Sequence, residues 1–216
     1  MAARSYGQYC PIARALDLLG ERWTLLILRE LLGGPRRYAD LRAELPGIAT
    51  NLLSQRLRLL VAEGLVEQFD VPPPVSRTMY RLADAGWRYV PPVIGALAAF
   101  GSDRRPGGPD RVSPLTGFLI GVLLGFDSQR ARDVDEDYRV VVDGRTFDIG
   151  VRHGVLCGAR GAPGVQLRAQ ASELVERRRG HGPAQASRIE FHGPAPATTR
   201  FLRVFRLALA EDPAPT

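Results

Sequence analysis

Residues 48–63 read IATNLLSQRLRLLVAE, and the fold turns on how this stretch is understood. Leu52, Leu53, Leu57, Leu59 and Leu60 recur at the i, i+3, i+4, i+7 spacing of one buried helical face. With successive residues about 100° apart, these leucines fall on one arc, and Thr50, Asn51, Ser54, Gln55 and Arg58 fall on the opposite one. That outer arc carries amides, hydroxyls and a guanidinium, with no carboxylate. Amides and guanidinium groups pair bidentately with adenine and guanine edges in a DNA major groove. The same groups would also serve as the solvated face of an ordinary amphipathic helix, so neighbouring segments must separate the two readings. Pro46-Gly47 stops the helix before it, Thr50 is placed to cap the new one, and Gly64 ends it. Arg56 falls on the leucine side, which predicts an internal ion pair and not a base contact.

Upstream, the pattern predicts a helix over 11–19, with Pro11 in its first turn and Ile12, Ala15, Leu16 and Leu19 on one face. Gly20 breaks it. A second helix over 23–32 is apolar nearly all round, which places it at the centre of a core. Gly33-Gly34-Pro35 ends that helix, and 36–45 predicts a short third one carrying Tyr38, Leu41 and Leu45. Downstream, strands over 65–70 and 76–82 flank the stiff tip Pro72-Pro73-Pro74. Arg77 is close to that tip, where an arginine enters a minor groove, grips a phosphate, or stays solvated. A further helix over 84–100 brings Trp87, Val90, Ile94, Leu97 and Phe100 near one side, part of which can meet a second chain. Short helices, a reading helix and then a hairpin is the order of a winged helix-turn-helix.

Composition is consistent with that order. The chain has 216 residues, an apolar fraction of 45%, a net charge of +6 and a pI of about 10.0, which suits a polyanionic partner. It has no lysine, so arginine supplies all side-chain cations except histidine; genomic base composition can produce such an excess, so the excess itself carries no weight. Positions 1–105 hold 14 arginines against 10 acidic residues, and the remainder 15 against 13. Cys10 and Cys157 do not make a disulfide framework. The first eight residues lack an apolar signal core, and the apolar run 115–126 falls far short of the ~20 residues a membrane helix needs. A soluble cytoplasmic protein with no membrane association is the expectation.

Tyr9-Cys10-Pro11-Ile12 is followed by Leu18-Leu19-Gly20-Glu21-Arg22-Trp23-Thr24-Leu25-Leu26-Ile27-Leu28-Arg29-Glu30-Leu31. Arg37-Tyr38-Ala39-Asp40-Leu41, Pro46-Gly47-Ile48, Leu53-Ser54-Gln55-Arg56-Leu57 and Glu63-Gly64-Leu65-Val66 come next. This ordered set resembles the HxlR-type winged-helix transcriptional regulators over about the first hundred residues. The resemblance implies a homodimer on pseudo-palindromic double-stranded DNA, paired through the first helix and the helix after the wing. Val71-Pro72-Pro73-Pro74-Val75 departs from the family's usual wing turn.

Residues 101–113 form a linker by their Gly, Pro, Arg and Asp content. After it, 115–126 predicts a short buried helix, and 138–142, 145–152 and 155–160 predict strands joined at Asp143-Gly144 and His153-Gly154. Residues 165–170 alternate as a fourth strand, 171–179 are helical, 188–192 are strand-like, and 197–209 close with a helix. Val165-Gln166-Leu167-Arg168-Ala169 and Ser172-Glu173-Leu174-Val175 belong to this order, as do Ile189-Glu190-Phe191-His192-Gly193 and Phe201-Leu202-Arg203-Val204-Phe205. The arrangement is similar to the sterol carrier protein fold, which implies a ligand or interaction domain. The expected class is therefore α+β: a winged helix-turn-helix domain over 1–103, then a sterol-carrier-like domain over 112–211 with a mostly antiparallel sheet.

No catalytic constellation, metal-ligand spacing or phosphate loop is present in the sequence, so neither enzyme nor cofactor is expected. His153, His181 and His192 are scattered. Cys10 precedes the first helix, where helix partial charge can favour a thiolate; it serves either as a redox sensor or as a small packing residue. The sterol-carrier likeness implies that the helix carrying Phe118, Leu119, Val122 and Phe126 and the last helix, carrying Phe201, Leu202 and Phe205, flank one face of the sheet, and that these side chains meet over it. They either fill that space or line a pocket for a small apolar ligand. The leading reading is a dimeric regulator contacting DNA through Thr50, Asn51, Ser54, Gln55, Arg58 and Arg77. The alternative is a lipid-carrier-like protein whose first half serves only dimerisation, and the acid-free face of the reading helix weighs against it.

Overall fold

Leu53, Leu57 and Leu60 are fully buried on one side of helix α4 (Thr50–Ala62), while Leu52 and Leu59 at the edges of that face are half-buried. These leucines anchor the first of two compact units, Met1–Gly86 and Trp87–Thr216. The computed structural model describes residues 5–74, 77–102, 112–178 and 189–207. Wing residues 75–76, linker residues 103–111, His181, Ala208 and Leu209 lie outside them.

In the first unit, α1 (Pro11–Leu19) and α2 (Thr24–Leu32) precede strand β1 (Arg36–Arg37), α3 (Tyr38–Glu44) and α4. The hairpin β2 (Val66–Val71) and β3 (Arg77–Leu82) follows, and the sheet order is β1-β3-β2. Two expectations change here. Trp23 does not open α2, because its φ of 80° takes it out of the helix. Arg36 and Arg37 are strand, paired with Tyr80 and Met79 on the free edge of β3. The core is Ile27, Leu28, Leu31 and Leu32 of α2 against Leu41, Leu45 and the α4 leucines. On α1, by contrast, only Ala13 is buried, and Ile12 and Leu16 are exposed, as is Tyr9 before the helix.

Helix α5 (Asp84–Ser102) begins in the first unit, where a Cβ on Gly86 would meet the Leu65 carbonyl oxygen at 2.2 Å. From Trp87 onward it belongs to the second unit, whereas the sequence places the boundary after residue 103. The reason is packing: a Cβ on Gly95 would lie 3.0 Å from Leu124 Cδ2, and one on Gly158 would lie 3.5 Å from Trp87 Nε1.

The second unit is a five-stranded sheet with helices. Residues 115–126 do not form one regular helix. They run as α6 (Pro114–Thr116), a π-helical segment (Gly117–Val122) and a 3-10 turn (Leu123–Gly125). Strands β4 (Asp135–Val142), β5 (Arg145–Arg152), β6 (Val155–Gly158), β7 (Val165–Ala169) and β8 (Glu190–His192) take the order β6-β5-β4-β7-β8. Asp143-Gly144 and His153-Gly154 have positive φ at both positions, as tight hairpin turns require. Strand β7 pairs parallel to β4, and the other pairings are antiparallel. Helix α7 (Ala171–Arg178) follows β7, and α8 (Ala195–Val204) starts two residues before its expected position. The π segment lies tight on α7: a Cβ on Gly121 would fall 2.4 Å from Leu174 Cβ.

The space between the opening helical segment and α8 is filled. Phe118 stacks on Phe147 at 4.3 Å, Phe201 lies 4.6 Å from Phe205, and Tyr138 meets Phe201 edge-on at 5.1 Å. Tyr138 donates to Glu136 Oε2 at 2.7 Å, and burial, then that carboxylate, pushes its pKa up. The Arg178 guanidinium donates to the carbonyls of Gly121 (2.8 Å), Phe205 (2.8 Å) and Arg206 (3.1 Å), tying the π-helical segment to the end of α8. Burial lowers the pKa of Arg178. Among the described residues no helix is long and apolar enough to cross a membrane, and no cluster of side chains could hold a metal ion.

Candidate nucleic-acid interface

Gly47, at φ 91°, turns the chain from α3 into α4. Its neighbours Leu45 and Ile48 are buried, which fixes the entry of α4 against the core. Thr50 does not cap this helix. Ala49 is the N-cap residue, and its carbonyl accepts from the N–H groups of Leu52 and Leu53, both at 3.0 Å. Thr50 is therefore exposed in the first turn, where backbone N–H groups without intrahelical partners suit a phosphate. At the far end Gly64, at φ 68°, donates to Val61 O at 3.0 Å while Leu65 donates to Leu60 O at 3.0 Å, a paired C-cap.

Along the outer side of α4, Asn51, Gln55 and Arg58 are exposed, and there is no acidic residue between Thr50 and Ala62. Ser54 is half-buried and donates through Oγ to the Tyr38 hydroxyl at 3.2 Å. Tyr38 in turn donates to the Thr50 carbonyl at 2.7 Å. Ser54 thus braces α4 against α3, and its role differs from that of its exposed neighbours. Tyr38 is a positioning residue that the sequence shows only as an aromatic in a short helix. Its hydroxyl, which needs a partner, is the signal that could have found it. Burial, then Tyr38, raises the pKa of Tyr80 on β3, and the nearby Arg58 guanidinium opposes the rise. Arg56 turns the other way and meets Glu21 Oε2 at 2.6 Å, with its side chain only 11% exposed.

Cross-strand pairs stiffen the wing. Arg81 binds Glu67 at 2.8 Å and its guanidinium covers the Phe69 ring at 4.7 Å, while Thr78 donates to Asp70 at 2.8 Å. Arg77 opens β3, half-buried, beside the tip. Cys10 is a free, half-buried thiol at the N-cap of α1. Of the seven residues considered as a pocket lining, Phe118, Leu119, Val122, Phe201 and Phe205 are buried, Leu202 is half-buried, and Phe126 lines a cavity of about 490 Å³ beside α5. Burial of this kind is what a domain of this size needs, since it uses most of its large apolar side chains to build a core.

The model of the HxlR-like helix-turn-helix family matches residues 18–107. The uncharacterized HTH-type transcriptional regulator sll1512 of Synechocystis is 40% identical over 97 residues, which are 45% of this chain and 71% of that protein. The uncharacterized HTH-type transcriptional regulator YvaP of Bacillus subtilis is 33% identical over 44% of this chain and 89% of its own length. Among solved structures, the reduced form of the B. subtilis transcriptional regulator YodB is 28% identical, covering 47% of this chain and 100% of its own, with a TM-score of 0.41. By the family model it matches and the sequence relatives it covers, the chain belongs to the HxlR-like helix-turn-helix family of transcriptional regulators.

Proposed function

We propose that the protein is a homodimeric, sequence-specific, DNA-binding regulator that acts in the cytoplasm on a pseudo-palindromic operator and has no catalytic role. The observation that carries this is the exposed, acid-free row Thr50, Asn51, Gln55 and Arg58 on α4. Asn51, Gln55 and Arg58 read base edges, the first turn of α4 takes a phosphate, and Arg77 grips the backbone near the wing. Dimerisation is supported by α1 and the residues just before it, where Tyr9, Ile12 and Leu16 are large, apolar and exposed. Oxidation of Cys10, at the start of that same helix, is a route by which the dimer is controlled. The second unit serves as a sterol-carrier-like interaction domain; its order of elements supports this.

Selection of bound duplexes from a random pool tests the reading. The expected product is a palindrome with half-site centres about 34 Å apart or a multiple of that. Recovery of no enriched sequence, or light scattering from a monomer both free and on DNA, would overturn it. Arg77→Ala should weaken binding to every duplex and reduce its salt dependence, and an effect confined to one base pair would contradict the phosphate role.

A further inference from the structure

We infer that the second unit holds a binding site for a small amphipathic anion in the cavity between α5 and the sheet. The cavity of about 490 Å³ falls within the roughly 300–1,000 Å³ range of small-molecule sites. Trp87, Pro91 and Ala96 of α5 form one wall, and Leu124, Phe126 and Val155 form the other. It is not a packing fault, since the aromatic core of the same unit is closed by rings in contact.

The polar groups define the ligand class. Among the described residues, Arg88 is the one charged side chain on the lining and Ser128 the one hydroxyl. Arg88 lies over the Tyr89 ring at 5.5 Å and makes no ion pair among the described residues. The nearest carboxylate in sequence to Ser128, Asp127, is engaged by the N–H groups of Gln129 (3.0 Å) and Arg130 (3.1 Å) and does not line the cavity. An apolar wall with one cation and one hydroxyl accommodates a hydrocarbon or aromatic body ending in a carboxylate. This inference stands apart from the DNA-binding reading, and its test uses no DNA.

The chain has two tryptophans, Trp23 and Trp87, so the full-length Trp23→Phe protein reports from Trp87 alone. Titration with decanoate should change Trp87 emission saturably, with decan-1-ol roughly tenfold weaker or more. Arg88→Gln should remove that preference while leaving decan-1-ol binding in place. Ala96→Phe, at an exposed helical position that narrows the cavity, should abolish both without lowering the melting temperature. Four results would each overturn the inference: no saturable change with either probe, unaltered binding in Ala96→Phe, an anion preference that survives Arg88→Gln, or an Ala96→Phe protein that turns from dimer to monomer. The last would mean that the groove receives a second copy of this chain.

Discussion

Arg56 and Arg58 lie two residues apart on α4, and their removal should fail in opposite ways. The Arg56 guanidinium is 11% exposed and 2.6 Å from Glu21, whose side chain is 39% exposed. Breaking a fully buried pair costs about 3–5 kcal/mol, and a surface pair is worth about 0–1 kcal/mol. This pair lies between those limits, so Arg56→Ala should destabilise the first unit by roughly 1–3 kcal/mol, including packing lost along the arginine stem. For a unit of this size that is a fall in melting temperature on the order of 10 °C. Arg58 is exposed, and its truncation should change stability by no more than about 0.5 kcal/mol. It should instead weaken binding to the selected operator by roughly 1–3 kcal/mol, about 5- to 150-fold, with specificity relaxed at one base pair. Differential scanning fluorimetry and fluorescence anisotropy on an operator series measure the two quantities separately. An Arg58→Ala protein with full affinity and specificity would refute the assignment of the two faces. So would an Arg56→Ala protein that melts normally but loses discrimination at one base pair.

Gly121→Ala should destabilise the second unit by about 1–3 kcal/mol, because the new methyl meets Leu174 at 2.4 Å; Gly101→Ala, in open space on α5, should be neutral or stabilising, and equal melting of both would refute the close-approach argument. Asp127 has a pKa held below the ordinary carboxylate value chiefly by the Arg130 N–H, so its contribution is present above the carboxylate range and lost as pH falls through it. Asp127→Asn should therefore melt lower than wild type at neutral pH, with the gap closing in acid, and a gap independent of pH would contradict this. Mild peroxide should alter operator affinity in wild type and not in Cys10→Ser, and equal responses would return Cys10 to a packing role.

Helix α4 was legible in the sequence because its two faces differ so sharply, and the same wheel separated Arg56 from Arg58. The brace formed by Tyr38, Thr50 and Ser54 was not, because its partners come from α3 and a hydroxyl's choice among them is set by packing. Arg36-Arg37 has no periodicity; it becomes strand only because β3 offers a free edge. The alternation of Val165 and Leu167 announces β7 but does not reveal that it lies parallel to β4, since alternation fixes a face and not a neighbour. The buried status of Phe118, Phe201 and Phe205 was readable from pattern. Whether they left a gap was not, because that depends on volumes summed across both layers.

The Arg178 clamp and the Phe126–Phe205 ring contact join the π-helical segment and the residues after it to the end of α8. During synthesis the winged unit is complete once Gly86 has emerged, and it can fold while the ribosome continues. The second unit has no such early stopping point. Phe126 and Tyr138 emerge first, yet they find their ring partners only when Phe201 and Phe205 follow. A nascent or prematurely terminated chain ending before Phe201 therefore pairs a finished DNA-reading head with a tail of unsatisfied aromatic surface, the kind of species that chaperones hold and proteases remove.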